Sequence, residues 1–219
     1  MYTPSTKEVL DLVSTICNNN FIIAGGYPRD LTLGRPFKDI DVFTNIDQYA
    51  LERGCNKAGI RTRLLPTGKY GNFTKGLSVH EYKNPWGPSV QFMRVFKPKP
   101  KINSRLANNN FLFDKPSPIP QTNQIELFTF IKNTFDCGIC KIVMRPDGTI
   151  FRFKEFEHDV ETQTIHMTNI GETKGIVKRS INHLKRIHVK YPEYKLDLSA
   201  ADEAMKRFMQ DDLNKITLS

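Results

Sequence analysis

The stretch Phe21–Thr44, FIIAGGYPRDLTLGRPFKDIDVFT, limits what this chain can fold into more than any other. The apolar run Phe21–Ala24 reads as a short strand that stops at Gly25-Gly26. Arg29-Asp30 then opens a short helix, and a second strand carries Asp39-Ile40-Asp41. Alternate residues of a strand point to one face, so Asp39 and Asp41 present their carboxylates side by side. Without Cβ atoms, Gly25 and Gly26 let the backbone approach a bulky anion, with the amides of the following helix start facing it. Arg29 either offers a cationic fork to phosphate or pairs with Asp30 to hold the turn. Singly, these features are ordinary: Gly-Gly turns are common, and Asp-x-Asp can mark a solvent-facing edge strand.

Taken together and in this order, they gain meaning. Gly25-Gly26-x-x-Arg29-Asp30, then Leu33-Gly34-Arg35, then Asp39-x-Asp41 resembles the polymerase β-like nucleotidyltransferase superfamily. The likeness is to the head domain of tRNA CCA-adding enzymes and bacterial poly(A) polymerases. It implies an α+β head with a mixed sheet and transfer of NMP from an NTP, ATP or CTP, to an RNA 3′-hydroxyl, tRNA first among acceptors. Asp39 and Asp41 would be catalytic and would hold two Mg²⁺ ions, or Mn²⁺ in their place, since hard cations take oxygen ligands and keep substrate phosphates. Gly25, Gly26 and Arg29 would hold the triphosphate.

Downstream the pattern thins. Thr134–Cys140, TFDCGIC, is similar to a diverged form of the family's second nucleotide-binding segment; it keeps Asp136 and lacks the arginines. Asp136 is read as a nucleotide contact or third acid on one side, and as a helix-to-strand turn residue on the other. On the strand Ser89–Phe96 the inward candidates include Gln91, which is not an acid, so the third metal ligand is unassigned. Cys137 and Cys140 have metal-like spacing, but no second Cys or His pair sits at zinc distance, and no zinc is expected. Trp86 at a hairpin tip anchors the turn or stacks on a base.

Charge bears on the partner. There are 32 Lys and Arg against 23 Asp and Glu, a net charge of +9. The excess gathers in two stripes, Arg94–Arg105 and Lys174–Lys195, and stripes of this kind fit a polyanion. GIVKRSINHLKRIHVKYPEY resembles the basic neck helix that follows the head in CCA-adding enzymes, although the family's base-reading Glu-Asp-x-x-Arg motif has no counterpart. Lys178, Arg179, Lys185 and Arg186 lie in two pairs about 11 Å apart along this helix and are the candidate RNA contacts. Two alternatives are a solvated surface and a cationic brace against head acids. His183 and His188 read as surface residues beside the stripe.

The organisation expected is a head over 1–171 and a basic helical neck-like segment over 172–219, with a Pro-rich loop over 97–122. Helices are expected at Ser5–Cys17, Ile46–Lys57, Asn123–Lys132, Lys174–Val189 and Ser199–Met209. Strands are expected at Phe21–Ala24, Asp39–Phe43, Ile60–Leu65, Leu77–Tyr82, Ser89–Phe96, Cys137–Met144 and Thr149–Phe153. With little chain after the neck, the expectation is a shortened stand-alone head of the kind phages also encode, without the body and tail that grip tRNA. No apolar run approaches the roughly 20 residues of a membrane span, and the start lacks a secretion signal, so a cytoplasmic protein is expected. Two competing functions share the same motifs: the same chemistry on a protein or small-molecule hydroxyl, and a catalytically silent RNA-binding or host-interacting module.

Overall fold

The computed structural model describes residues 4–65, 77–84, 87–95 and 123–217. The expected loop 97–122 and Trp86 lie outside the described residues. Among them the chain is α+β, with seven helices and a mixed seven-stranded sheet.

Helix α1 (Thr6–Cys17) begins at Ser5, whose hydroxyl accepts from the Glu8 amide while Glu8 returns a bond to Ser5, a reciprocal cap. It buries Val9, Val13, Ile16 and Cys17. Strands β1 (Phe21–Ala24) and β2 (Asp39–Thr44) flank α2 (Gly26–Thr32), and α3 (Gln48–Lys57) is capped by Asp47. Then come β3 (Arg63–Leu64), β4 (Leu77–Tyr82), β5 (Ser89–Val95) and α4 (Asn123–Thr134). A 3₁₀ turn, Gly138–Cys140, leads into β6 (Ile142–Met144) and β7 (Ile150–Arg152). Across the sheet the order is β3-β4-β5-β2-β1-β6-β7, with β2 and β5 parallel and every other neighbour antiparallel.

Two cores sandwich the sheet. On one face Phe21, Ile23, Ile40, Val42, Val90 and Phe92 pack with α1 and α3. On the other, Ile22, Ala24, Phe43, Val79 and Met93 pack with Leu127 and Ile131 of α4. Asp39 and Asp41 share the parity of Phe43, so they sit on the α4 face at the start of β2, ahead of the apolar packing.

A third core is built by the C-terminal elements: α5 (Lys154–Thr162), β8 (Thr164–His166), α6 (Lys174–Lys190), β9 (Lys195–Asp197) and α7 (Ser199–Thr217). β8 and β9 pair in parallel and join residues on either side of position 171. Several expectations need correction here. Only Arg63–Leu64 of Ile60–Leu65 joins the sheet. The expected strand Cys137–Met144 opens instead as a turn, closed by Cys140 N–H to Cys137 O and Lys141 N–H to Gly138 O. Gly138 is packed so closely that a Cβ would lie 2.6 Å from Asp159 Oδ2. α5, β8 and β9 are additional: α5 is mostly charged, and each strand is three residues long, too short for periodicity to register.

Candidate active site

β1 runs into Gly25, whose φ of 75° suits glycine and whose amide donates to Ile142 O. A Cβ at Gly25 would lie 3.2 Å from the Phe135 ring, so Phe135 closes the turn from below. Gly26 differs. Among the described residues a Cβ there would meet only Arg29 Nη2, at 3.9 Å, so their packing leaves room in front of it. As first-turn amides, those of Gly26 and Tyr27 have no intrahelical acceptor, and Pro28 brings no donor.

Across from this turn stand the two carboxylates. Asp39 is exposed and Asp41 half-buried, and neither accepts a hydrogen bond or joins an ion pair among the described residues. Burial first, and then the charge of Asp39, push Asp41 up to about 7, while Arg29 and His183 draw it back. Asp41 pairs in register with Gln91, which pairs with Glu81, itself bonded to Arg63 at 2.6 Å. The nearest acid beyond Gln91 in this row is thus already held by a cation. No group of three or more His, Cys, Asp or Glu among the described residues is arranged to hold a metal. Two unpaired carboxylate oxygen donors nonetheless suit a hard cation that draws its other ligands from water and phosphate.

The remaining predicted residues fall in different places. Arg29 faces inward: it is 7% exposed and donates from Nε to Asp30 and to the Tyr191 hydroxyl, from Nη2 to Asp30, and from Nη1 to Cys140 Sγ. Of its two readings, the geometry adopts the pairing with Asp30. Burial works against its charge, but Cys140 and Asp30 outweigh it and keep the guanidinium protonated. Asp136, just after α4, accepts from His183 Nδ1 at 2.9 Å. That bond, with the pull of Cys140, holds His183 above its ordinary value despite burial. His183 is therefore not a bystander of the basic stripe; it ties α6 to the segment beside the carboxylates. The Cys137 thiol lowers Cys140 by hydrogen bonding, aided by Arg29, whereas burial raises Cys137.

Lys178, Arg179, Lys185 and Arg186 are exposed on α6, while Val177, Ser180, Leu184 and Ile187 face the core. None of the four cations pairs with an acid among the described residues. Bracing is done by other residues of the same region, with Lys190 and Tyr191 on Asp30 and Glu193 on Arg35 at 2.6 Å. In the other stripe Arg94 is buried, bonded to Ile46 O and Ser78, and does not face solvent. Phe135, Cys140, His183 and Tyr191 thus belong to the site or its support. Spacing gave none of them this role, although it marked the Cys137-x-x-Cys140 pair, because each reaches the site from a distant element.

No family model and no curated protein matches this chain. Solved structures do. A CCA-adding enzyme in apo form I is similar with a TM-score of 0.58 at 12% identity, over 96% of this chain and 45% of that one. The Bacillus stearothermophilus CCA-adding enzyme in complex with CTP gives 0.52 at 16% identity, over 90% and 42%. A tRNA nucleotidyltransferase complexed with a primer tRNA and an incoming ATP analog gives 0.51 at 14%, over 93% and 51%. The chain spans about half the length of these structures. What the likeness shows is the fold: over its own length the chain shares the α+β fold of these CCA-adding enzymes and tRNA nucleotidyltransferase. No helix among the described residues is long and apolar enough to cross a membrane.

Proposed function

We propose that this chain is a metal-dependent nucleotidyltransferase that moves NMP from an NTP to an RNA 3′-hydroxyl, with tRNA as the acceptor. One observation carries the reading: among the described residues, Asp39 and Asp41 stand side by side and unpaired next to a glycine turn with open space before it. The solved structures with CTP, an ATP analog and a primer tRNA support it by shared fold.

In the reaction, the 3′-hydroxyl gives its proton to solvent, its oxygen bonds to the α-phosphorus, the bond from that phosphorus to the bridging oxygen breaks, and pyrophosphate leaves. Asp39 and Asp41 would hold Mg²⁺, which when bound neutralises phosphate charge and favours the attacking oxygen. Gly26 gives the triphosphate its approach, and Gly25 with Phe135 sets the angle of the turn. Asp136 fixes the His183 ring at the α6 side of the site. The exposed cations of α6 hold the acceptor backbone, while the helix's inner face borders the site, so grip and chemistry share one element.

The test is incubation of the purified chain with each labelled NTP, Mg²⁺ and total RNA. Label in tRNA is the expected result. Label in protein or in a small molecule would move the acceptor, and no label would leave an RNA-binding module.

A further inference from the structure

Tyr191 is a buried tyrosine at the end of α6, and its hydroxyl ends inside the motif helix α2. There it donates to Asp30 Oδ1 at 2.5 Å and accepts from Arg29 Nε at 3.2 Å. Lys190 Nζ reaches the other oxygen, Asp30 Oδ2. The ring also lies under two cations, with Arg29 at 5.2 Å and Arg35 at 5.7 Å from its centre. Asp30 is 2% exposed, so its charge is tolerable only because Arg29, Tyr191 and Lys190 surround it.

Arg29 is what this arrangement fixes, and Arg29 is where the arrangement meets the site. Its Nη2 is the atom closest to the space a side chain at Gly26 would take. Its Nη1 holds Cys140, and its charge acts on Asp41. Asp30 accepts from Nε and Nη2 and Cys140 from Nη1; the Tyr191 hydroxyl is a second acceptor for Nε and, by donating to the same Asp30 oxygen, fixes where carboxylate and guanidinium plane meet.

We infer that Tyr191 is a positioning residue for the candidate transfer site: its hydroxyl sets the plane of Arg29 and thereby the Gly26 turn and the surroundings of Asp41. The inference rests on the proposed transfer reaction for its kinetic consequence only. α6 would then contribute to the chemistry from its inner end as well as to RNA binding from its outer face. Lys190 supports the same carboxylate from the rim, where it is partly exposed, and has the smaller share.

The experiment uses the full chain and Tyr191→Phe, which keeps the ring and its contacts and removes only the hydroxyl. Exchange of the Arg29 Nε proton with water and the Gly26 amide shift are followed by NMR, alongside transfer kinetics. The expected result is Arg29 Nε exchange at least ~10-fold faster, a displaced Gly26 amide, and kcat lowered about tenfold with the KM for NTP and RNA changed less than about twofold. Unchanged exchange, or a lower melting temperature with kcat intact well below melting, would overturn it. If the wild-type chain transfers nothing from any NTP, the proposed function falls, and the exchange and amide data still decide the role of Tyr191. Should Tyr191→Phe fail to fold, Lys190→Met is read by the same measurements, with a smaller change of the same kind expected and none overturning the inference.

Discussion

Asp30 and Asp41 belong to one sequence motif and sit on adjoining elements, yet the fold treats them in opposite ways. Asp30 is buried and takes bonds from Arg29, Lys190 and Tyr191. Asp41 is half-buried beside another carboxylate and takes none among the described residues. A buried carboxylate with its donors in place holds two elements together, and removing it strands their charges. A carboxylate left beside a like charge raises the energy of the folded chain until a cation arrives. The first half of the motif thus builds the junction of α2 with α6, and the second half is left without protein partners among the described residues, where the proposed function puts its metal.

That contrast is most exposed to substitution of the acids themselves. Asp39→Ala and Asp41→Ala are each expected to lower transfer by about a hundredfold or more, with thermal stability unchanged or raised. Asp30→Asn is expected to do the reverse at the level of folding, costing about 3–5 kcal/mol in denaturant unfolding because Arg29 and Lys190 lose their carboxylate. Near wild-type transfer in either alanine variant at saturating Mg²⁺ would remove the metal assignment. A stability loss in Asp41→Ala as large as that in Asp30→Asn would erase the difference between the two acids.

The two glycines divide in the same way. Gly25→Ala strains a positive φ and presses on Phe135, so a stability loss of about 1–3 kcal/mol is expected. The Cβ of a side chain at Gly26 meets only the far end of Arg29 among the described residues, so for Gly26→Val folding is expected to change by about 1 kcal/mol or less. NTP affinity, measured by calorimetry, is expected to fall about tenfold or more in Gly26→Val. Equal affinity in the folded variant would take Gly26 out of the site.

On α6 the contrast is between outer and inner cations. Lys185→Ala with Arg186→Ala removes two exposed charges that hold no acid among the described residues. RNA affinity is expected to drop across sequences, and its salt slope to flatten by roughly one unit per lost contact, with melting unchanged. A lowered melting temperature with an unaltered slope would make these residues a brace like Lys190.

How much of this could be read in the sequence follows from the range of the interactions. Gly25-Gly26, Asp39 and Asp41 announce themselves because strand alternation and a glycine turn are local rules, and the sheet places them as those rules require. Arg29 had two readings because a guanidinium serves phosphate and carboxylate alike; choosing between them took Tyr191, 162 positions away in sequence. His183 looked like a surface residue because its partner, Asp136, lies on another element. The third core was only half legible. α6 has clear periodicity, but β8 and β9 are too short to show any, and the turn at Gly138 is dictated by Asp159 and His166 pressing on it.

Those last two residues give the smallest expected effect, and its sign can be worked out. Asp159 on α5 is fully buried and bonded to His166 Nδ1 on β8. Around the pair stand His158 edge-on to His166, Asp197 opposite it in the β8–β9 register, and Lys141 and Tyr194. The hydrogen bond with Asp159 raises His166 above its ordinary value, and burial raises Asp159. Both shifts mean that the folded chain holds more proton than the unfolded one, so stability falls as pH rises. The His166 contribution is complete below about 6.5, the unfolded value, and is lost as pH climbs through the raised folded value. Melting followed from pH 6 to 8.5 is therefore expected to decline by a few degrees, about the effect of one such interaction in a chain this long. His166→Asn should flatten that decline while leaving the salt slope of RNA binding alone, since the pair lies in the third core and not on the outer face of α6. A decline of the same steepness in the variant would mean that another group carries the proton.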